Sequence, residues 1–190
     1  MRAAGKETEI KLAIASAAAA RRRLRQLGFR VVQPRRLESN LVFDSPQGAL
    51  RRRGCLLRLR SVNRRHWLTV KGPAVASRRY KIRPEWEAEL SDPATARALL
   101  TALGLNPWFR YEKFRTVFAG RGRWRGGEVM LDETPIGHYL ELEGSRRWIR
   151  RVARALGAVP AEFITQSYAA LYADWCRRRR RPFRHMVFTR

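Results

Sequence analysis

Charged and apolar residues alternate with period two along much of the chain. In ETEIKLAI, Glu7, Glu9 and Lys11 share one face, and Ile10, Leu12 and Ile14 share the other. LLRLR sets Arg58 and Arg60 against Leu57 and Leu59, and WLTVK sets Lys71 against Leu68 and Val70. In KIRPEWEAEL, Lys81, Arg83, Glu85, Glu87 and Glu89 oppose Ile82, Trp86, Ala88 and Leu90. EKFRTVF gives Lys113 and Arg115 against Phe114 and Phe118. EVMLD and YLELEG give Glu128, Asp132, Glu141 and Glu143 against Val129, Leu131, Leu140 and Leu142. This period marks strands with two unlike faces. Pro84 lacks an N–H and predicts a bulge or a lapse in pairing within its strand.

Helix signals lie between these segments. Ser16 caps a predicted helix that runs to Leu27 and stops at Gly28. Ser91 or Asp92, followed by Pro93, opens a second that ends at Gly104, and Ser145 opens a third that ends at Gly157. A fourth is predicted from about Thr165, with Tyr168, Leu171, Tyr172 and Trp175 on one side. After Cys176 the chain is arginine-rich and is expected to be loosely ordered.

One strand with a wet face would be ordinary antiparallel sheet. Repetition of the pattern changes the reading. The charged faces hold most of the chain's 16 acids and every lysine except Lys6, whereas the opposite faces are apolar and can be covered by the helices. The simplest assembly is an antiparallel sheet closed into a barrel, charged inside and packed by helices outside, in an α+β chain.

Length and composition, at 190 residues and 45% hydrophobic, fit one domain. The net charge of +25 would ordinarily suggest a polyanionic partner, but of 41 basic residues only five are lysines. That skew reads as genome composition, so runs such as Arg21 to Arg23, Arg51 to Arg53 and Arg177 to Arg181 are expected to be solvated surface before they are nucleic-acid contacts. Two cysteines without a CxxC or matching histidines predict neither zinc nor a disulfide framework, and fit a reducing cytoplasm. No apolar run is long enough for a membrane span, and no signal-peptide core is visible.

So many inward charges need partners, because each buried ion costs several kcal/mol unless paired. A divalent metal with a dense anion would satisfy both signs. Carboxylate oxygens suit Mg²⁺ or Mn²⁺, and ammonium and guanidinium groups suit phosphate oxygens, which points to a polyphosphate chain with metal.

These motifs occur in a known order. ETEIK resembles the ExExK signature of the CYTH domain, or triphosphate tunnel metalloenzyme superfamily. NLVFDSPQGALRRRGCLLRLR, LTVKGP, KIRPEWE, EKFR, LDETPIGHYLELEG and SYAALY resemble that family's later segments, so the likeness spans residues 7 to 172. It implies an eight-stranded antiparallel barrel enclosing a triphosphate tunnel, with residues 1–176 as the domain and 177–190 as a tail. It also implies Glu7, Glu9, Glu87, Asp132, Glu141 and Glu143 as metal ligands and Lys11, Arg58, Arg60, Lys71, Lys81, Arg83, Lys113 and Arg115 as phosphate-binding groups. Glu7, Glu9, Lys11, Lys81 and Glu85 carry the implied catalysis.

The implied activities are metal-dependent hydrolysis of inorganic, nucleoside or thiamine triphosphate, or class IV adenylyl cyclisation of ATP to cyclic AMP and pyrophosphate. A polyphosphate- or RNA-binding module without turnover is a third reading, against which seven inward acids argue. Cyclases of this class imply a homodimer. Trp67 alternates with Lys71 and is expected to point inward; the other five tryptophans are expected to pack between barrel and helices. His66, His138 and His185 are expected in surface or loop roles.

Overall fold

The computed structural model describes residues 2–75, 77 and 79–189. Its strands are β1 (Arg2–Ile14), β2 (Phe29–Asp44), β3 (Leu56–Val62), β4 (Arg65–Lys71), β5 (Lys81–Leu90), β6 (Asn106–Gly120), β7 (Gly127–Thr134) and β8 (Gly137–Gly144). They close into one antiparallel barrel in the order β1-β5-β4-β3-β2-β6-β7-β8, with β8 returning to β1. The sequence reading contains no β2. At 16 residues β2 is the longest strand, and its register shifts against β6 on either side of Gln33, next to Pro34.

The helices are α1 (Ala17–Gln26), α2 (Ala49–Arg52), α3 (Pro93–Ala102), α4 (Arg146–Ala155) and α5 (Tyr168–Arg178). Ser16, Asp92, Ser145 and Ser167 each accept a backbone N–H at their N-termini, and α5 starts two to three residues later than the apolar pattern suggests. Ser145 accepts from Trp148 N at 3.2 Å. Replacing it with alanine is expected to cost about 1 kcal/mol in denaturant unfolding, with barrel geometry unchanged.

Because charge fills the lumen, the main apolar core lies outside the barrel. Ile10, Leu12, Ile82, Phe118, Val129, Leu131, Leu140 and Leu142 meet Leu24 of α1 and Trp148, Ile149 and Val152 of α4. Gly127 admits the Trp148 ring. A Cβ there would stand 2.7 Å from that ring and 2.4 Å from the Glu143 carbonyl oxygen. Phe43, Leu57 and Leu59 pack on Leu100 of α3.

The third apolar cluster stops one end of the barrel. The lumen-facing residues Val42, Phe109 and Tyr111 pack there against Tyr168, Tyr172 and Cys176 of α5 and against Met186. The segment after α5 is thus docked, contrary to the expected looseness. Met186 bridges Tyr111, Glu112 N donates to the Met186 carbonyl at 2.8 Å, and Phe183 stacks on Trp108 and Phe109.

Pro84 pairs with Lys6 of β1, and the one register shift between these strands falls beside it, at Arg2–Gly5 opposite Glu87 and Glu85; on the other side β4 ends at Lys71, and Gly72 N donates to the Pro84 carbonyl. The irregularity expected in this strand therefore lies next to Pro84. Trp86 departs from expectation, lying 45% exposed beside Val70 with no helix over it among the described residues. His138 lies within β8 and not in a loop. Both cysteines are free. Among the described residues no helix is long and apolar enough to cross a membrane.

Candidate active site

Antiparallel pairing turns one face of every strand toward the lumen and gathers most of the alternating charges there, and the resulting cavity has a volume of about 1410 Å³. Glu7, Glu9, Lys11, Arg58, Arg60, Lys71, Lys81, Arg83, Glu85, Glu87, Lys113, Arg115, Glu141 and Glu143 all line it. Asp132 alone of the anticipated site residues does not. It stands on the same inward face of β7 as the cavity-lining Glu128 and Met130, fully buried beneath the Lys113, Arg115 and Tyr168 side chains that bond it. Trp67 also faces the cavity, with the Arg60 and Arg65 guanidinium groups 4.9 and 5.0 Å from its ring centre.

The lumen charges form two interlocked sets. On the β1 side, Lys71 Nζ lies 2.7 Å from both oxygens of Glu7 and 3.0 Å from Glu85. Lys11 Nζ bridges Glu141 at 3.0 Å and Glu9 at 3.3 Å, and Lys81 reaches Glu9 at 3.2 Å. On the β6 side, Asp132 accepts Lys113 Nζ at 2.8 Å and Arg115 Nε and Nη2 at 2.6 Å each, while Arg115 also bonds Glu141. Arg60 donates to Glu87 at 2.9 Å, and Thr69 donates to the other oxygen of that carboxylate at 2.8 Å.

These pairings set the proton affinities. Burial pushes the Glu9 and Glu141 carboxyls up, but Lys11 and the neighbouring cations outweigh it and hold both well below the usual range. Glu7 moves the other way, raised by burial and by the Glu9 and Glu85 carboxylates despite Lys71. Glu143 is pushed up to about 7 by burial and by Glu7, Glu85 and Glu9, against the pull of Lys71. Lys81 is lowered to about 8 by burial, with Lys11 and Arg83 adding to it against Glu9.

Two kinds of group stay unmet. The Nε atoms of Arg58, Arg60 and Arg83 are buried without a hydrogen-bond partner, and the Arg83 Nε stands 3.7 Å from Glu7. No cation pairs with Glu143 among the described residues. An anion suits the first kind and a cation the second.

Glu38 was missed by sequence reading. It lies on β2, its carboxylate 3.7 Å from Lys113 Nζ, and it is held below its ordinary pKa because Arg115, Lys113 and Arg60 outweigh its burial. Asn40, on the same face of β2, is wholly buried with neither amide atom partnered. Their alternation with Leu37 and Leu41 was the available signal.

Residues 5–155 match the family model of the CYTH domain. No curated protein matches the chain. Among solved structures, a candidate adenylate cyclase of Vibrio parahaemolyticus is 22% identical, with 88% of this chain and 97% of that one covered and a TM-score of 0.74. The PH1819 protein of Pyrococcus horikoshii OT3 is 22% identical, with 89% and 99% covered and a TM-score of 0.75. A candidate adenylyl cyclase of Hippeastrum, HpAC1, which has a dominant triphosphatase activity, is 19% identical, with 89% and 96% covered and a TM-score of 0.65. At such identities the likeness is one of fold.

Proposed function

The chain belongs to the CYTH domain family, and from that premise we propose that it is a metal-dependent triphosphatase, hydrolysing inorganic triphosphate or an organic triphosphate inside the barrel. The observation that carries this reading is the set of buried, unpartnered guanidinium N–H groups of Arg58, Arg60 and Arg83 in a lumen where most other cations already have carboxylates. A multiply charged anion that supplies several oxygens at once would satisfy all three.

A divalent metal fits the donor chemistry. Glu7, Glu9, Glu85 and Glu143 are oxygen donors, and Glu143 is surrounded by like charge. Among the described residues no three carboxylates already converge as a ligand shell, since Lys71, Lys11 and Lys81 hold Glu7 and Glu9. Glu7, Glu9, Glu143 and Glu141 would hold Mg²⁺ or Mn²⁺, with Glu87 further along the cavity. When bound, the metal supplies Lewis-acid neutralisation of the charge that builds on the transferring phosphoryl group.

The protein's own groups do the remaining work. Arg58, Arg60 and Arg83 take non-bridging oxygens with donors that have no other use. Lys11, Lys71, Lys81 and Lys113 exchange part of their carboxylate contacts for phosphate, so binding of the anion frees acids as it occupies bases. Phosphoryl transfer requires little covalent help, and a lumen of fixed cations that aligns the chain and spreads its developing charge provides most of what the reaction needs. Water then attacks a terminal phosphorus, the bond from that phosphorus to its bridging oxygen breaks with the shortened phosphate chain as leaving group, the water's proton passes to solvent or a carboxylate, and orthophosphate is released.

Adenylyl cyclase activity is the second reading, favoured by Trp67, whose ring faces the cavity and offers an aromatic surface to a nucleobase. In that reaction the ribose 3′-oxygen bonds to the α-phosphorus, pyrophosphate departs, and the hydroxyl proton passes to solvent or a carboxylate. A single experiment separates the two. The protein is incubated with Mg²⁺ or Mn²⁺ and tripolyphosphate, ATP or thiamine triphosphate, and orthophosphate, pyrophosphate and cyclic AMP are resolved. Orthophosphate release that a chelator abolishes is the expected outcome. Cyclic AMP with pyrophosphate would establish the cyclase instead, and no metal-dependent product would leave a polyphosphate-binding module.

A further inference from the structure

Helix α5 does more than stop the barrel, because its first residue reaches the lumen. Tyr168 lines the cavity, and its hydroxyl donates to Asp132 Oδ2 at 2.6 Å. That same oxygen accepts Lys113 Nζ at 2.8 Å and Arg115 Nη2 at 2.6 Å, while Oδ1 takes Arg115 Nε. The Tyr168 ring meanwhile lies close to two ammonium groups, with Lys11 Nζ 5.3 Å and Lys113 Nζ 5.0 Å from its centre. Thus one side chain meets three charged groups from three strands, Lys11 of β1, Lys113 of β6 and Asp132 of β7, and reaches a fourth, Arg115 of β6, through Asp132.

We infer that Tyr168 is a positioning residue for triphosphate binding: its hydroxyl fixes Asp132 as the clamp on Lys113 and Arg115, and its ring holds Lys11 and Lys113 at one spacing. The inference rests on the triphosphate reading above. The physical case is one of preorganisation. Lysine has four rotatable bonds and a mobile point charge, so a lumen that binds through lysines gains affinity when their positions are fixed before the ligand arrives. An aromatic face attracts both ammonium groups without neutralising them, which leaves their charge for phosphate. A carboxylate on the cavity side would have competed with the substrate. Asp132 is fully buried and so fixes the two cations from behind. The hydroxyl matters because Asp132 Oδ2 would otherwise face two cations alone and could follow either one.

The test is calorimetric titration of tripolyphosphate into the full chain in a chelator, so that no turnover occurs, alongside steady-state kinetics with metal. Tyr168→Phe keeps the ring and removes the hydroxyl; it is expected to weaken tripolyphosphate binding about tenfold, the scale of one hydrogen bond to a charged group. Tyr168→Leu removes both interactions and is expected to weaken it about 100-fold. Tyr172→Phe, in the same aromatic cluster but off the cavity wall, is expected to bind as the wild type does. In kinetics the loss in Tyr168→Phe should fall on KM with kcat nearly unchanged. In an Asp132→Asn background, Tyr168→Phe should cause little further loss, because the two act through one bond.

A merely structural role would lower the melting temperature of Tyr168→Phe and leave its affinity intact, and that result overturns the inference. Additive losses in the double variant overturn it as well. A wild-type chain that binds no tripolyphosphate would instead overturn the proposed function, which keeps the two failures distinct.

Discussion

Asp132→Ala is expected to lose about 3 to 5 kcal/mol of folding stability, measured as a fall in the denaturant midpoint at unchanged slope. Asp132 is fully buried and carries four donated hydrogen bonds from Lys113, Arg115 and Tyr168. Lys113 is only 2% exposed, and its remaining carboxylates, Glu38 and Glu141, stand 3.7 and 4.0 Å away, beyond hydrogen-bond reach. Removal of the acid therefore leaves a nearly buried ammonium with no carboxylate within hydrogen-bond reach, and that uncompensated charge sets the cost. Arg115 suffers less because Glu141 still holds it. Asp132→Asn, which keeps the shape and one oxygen acceptor, should cost clearly less than the alanine. A loss below about 1 kcal/mol in Asp132→Ala would show that water enters the lumen freely enough to solvate Lys113, and the picture of Asp132 as a buried clamp would fail.

The Asp132 clamp also shows where sequence reading stops. Alternation alone located both Lys113 and Asp132 on inward faces, because period two depends only on the strand's own geometry. Which acid meets which base depends on closure and register. Lys71 pairs with Glu7 although β5 lies between their strands, and no local pattern contains that information. Three of the four long helices were legible from a cap and a terminal glycine, since these are local signals. The strand β2 was not, because Pro34 and the arginines at 35 and 36 interrupt its alternation and its burial pattern settles only from Glu38 onward. Tyr168 and Tyr172 were read as one face of a helix. That was correct for packing, but the lumen role of Tyr168 follows from the helix crossing the barrel end, a tertiary fact. Trp86 fails for the opposite reason: its position faces outward as expected, yet among the described residues no helix covers that part of β5.

Replacing Glu7 and Glu9 together with glutamine is expected to abolish metal-dependent turnover, by at least about 10³-fold, while metal-free tripolyphosphate binding stays equal to or tighter than in the wild type. Disturbing groups that only orient metal ligands costs 10- to 100-fold, so loss of two candidate ligands should cost at least the product of such factors. The fold should survive. Lys71 keeps Glu85 at 3.0 Å and Lys11 keeps Glu141 at 3.0 Å; among the described residues, Lys81 loses its one carboxylate, Glu9, and Arg83 its more distant one, Glu7. Those released lysines explain the second half of the expectation. In the wild type they are engaged by the carboxylates that a metal would claim, so a triphosphate arriving without metal must compete with Glu7 and Glu9 for Lys71, Lys11 and Lys81. Neutral amides remove that competition and two repelling charges at once. The combination of stronger anion binding with lost chemistry is what distinguishes metal-holding acids from acids that merely balance the lumen's charge. If the double variant turns over tripolyphosphate within tenfold of the wild type, Glu7 and Glu9 do not hold the metal, and the catalytic reading must shift to Glu141 and Glu143.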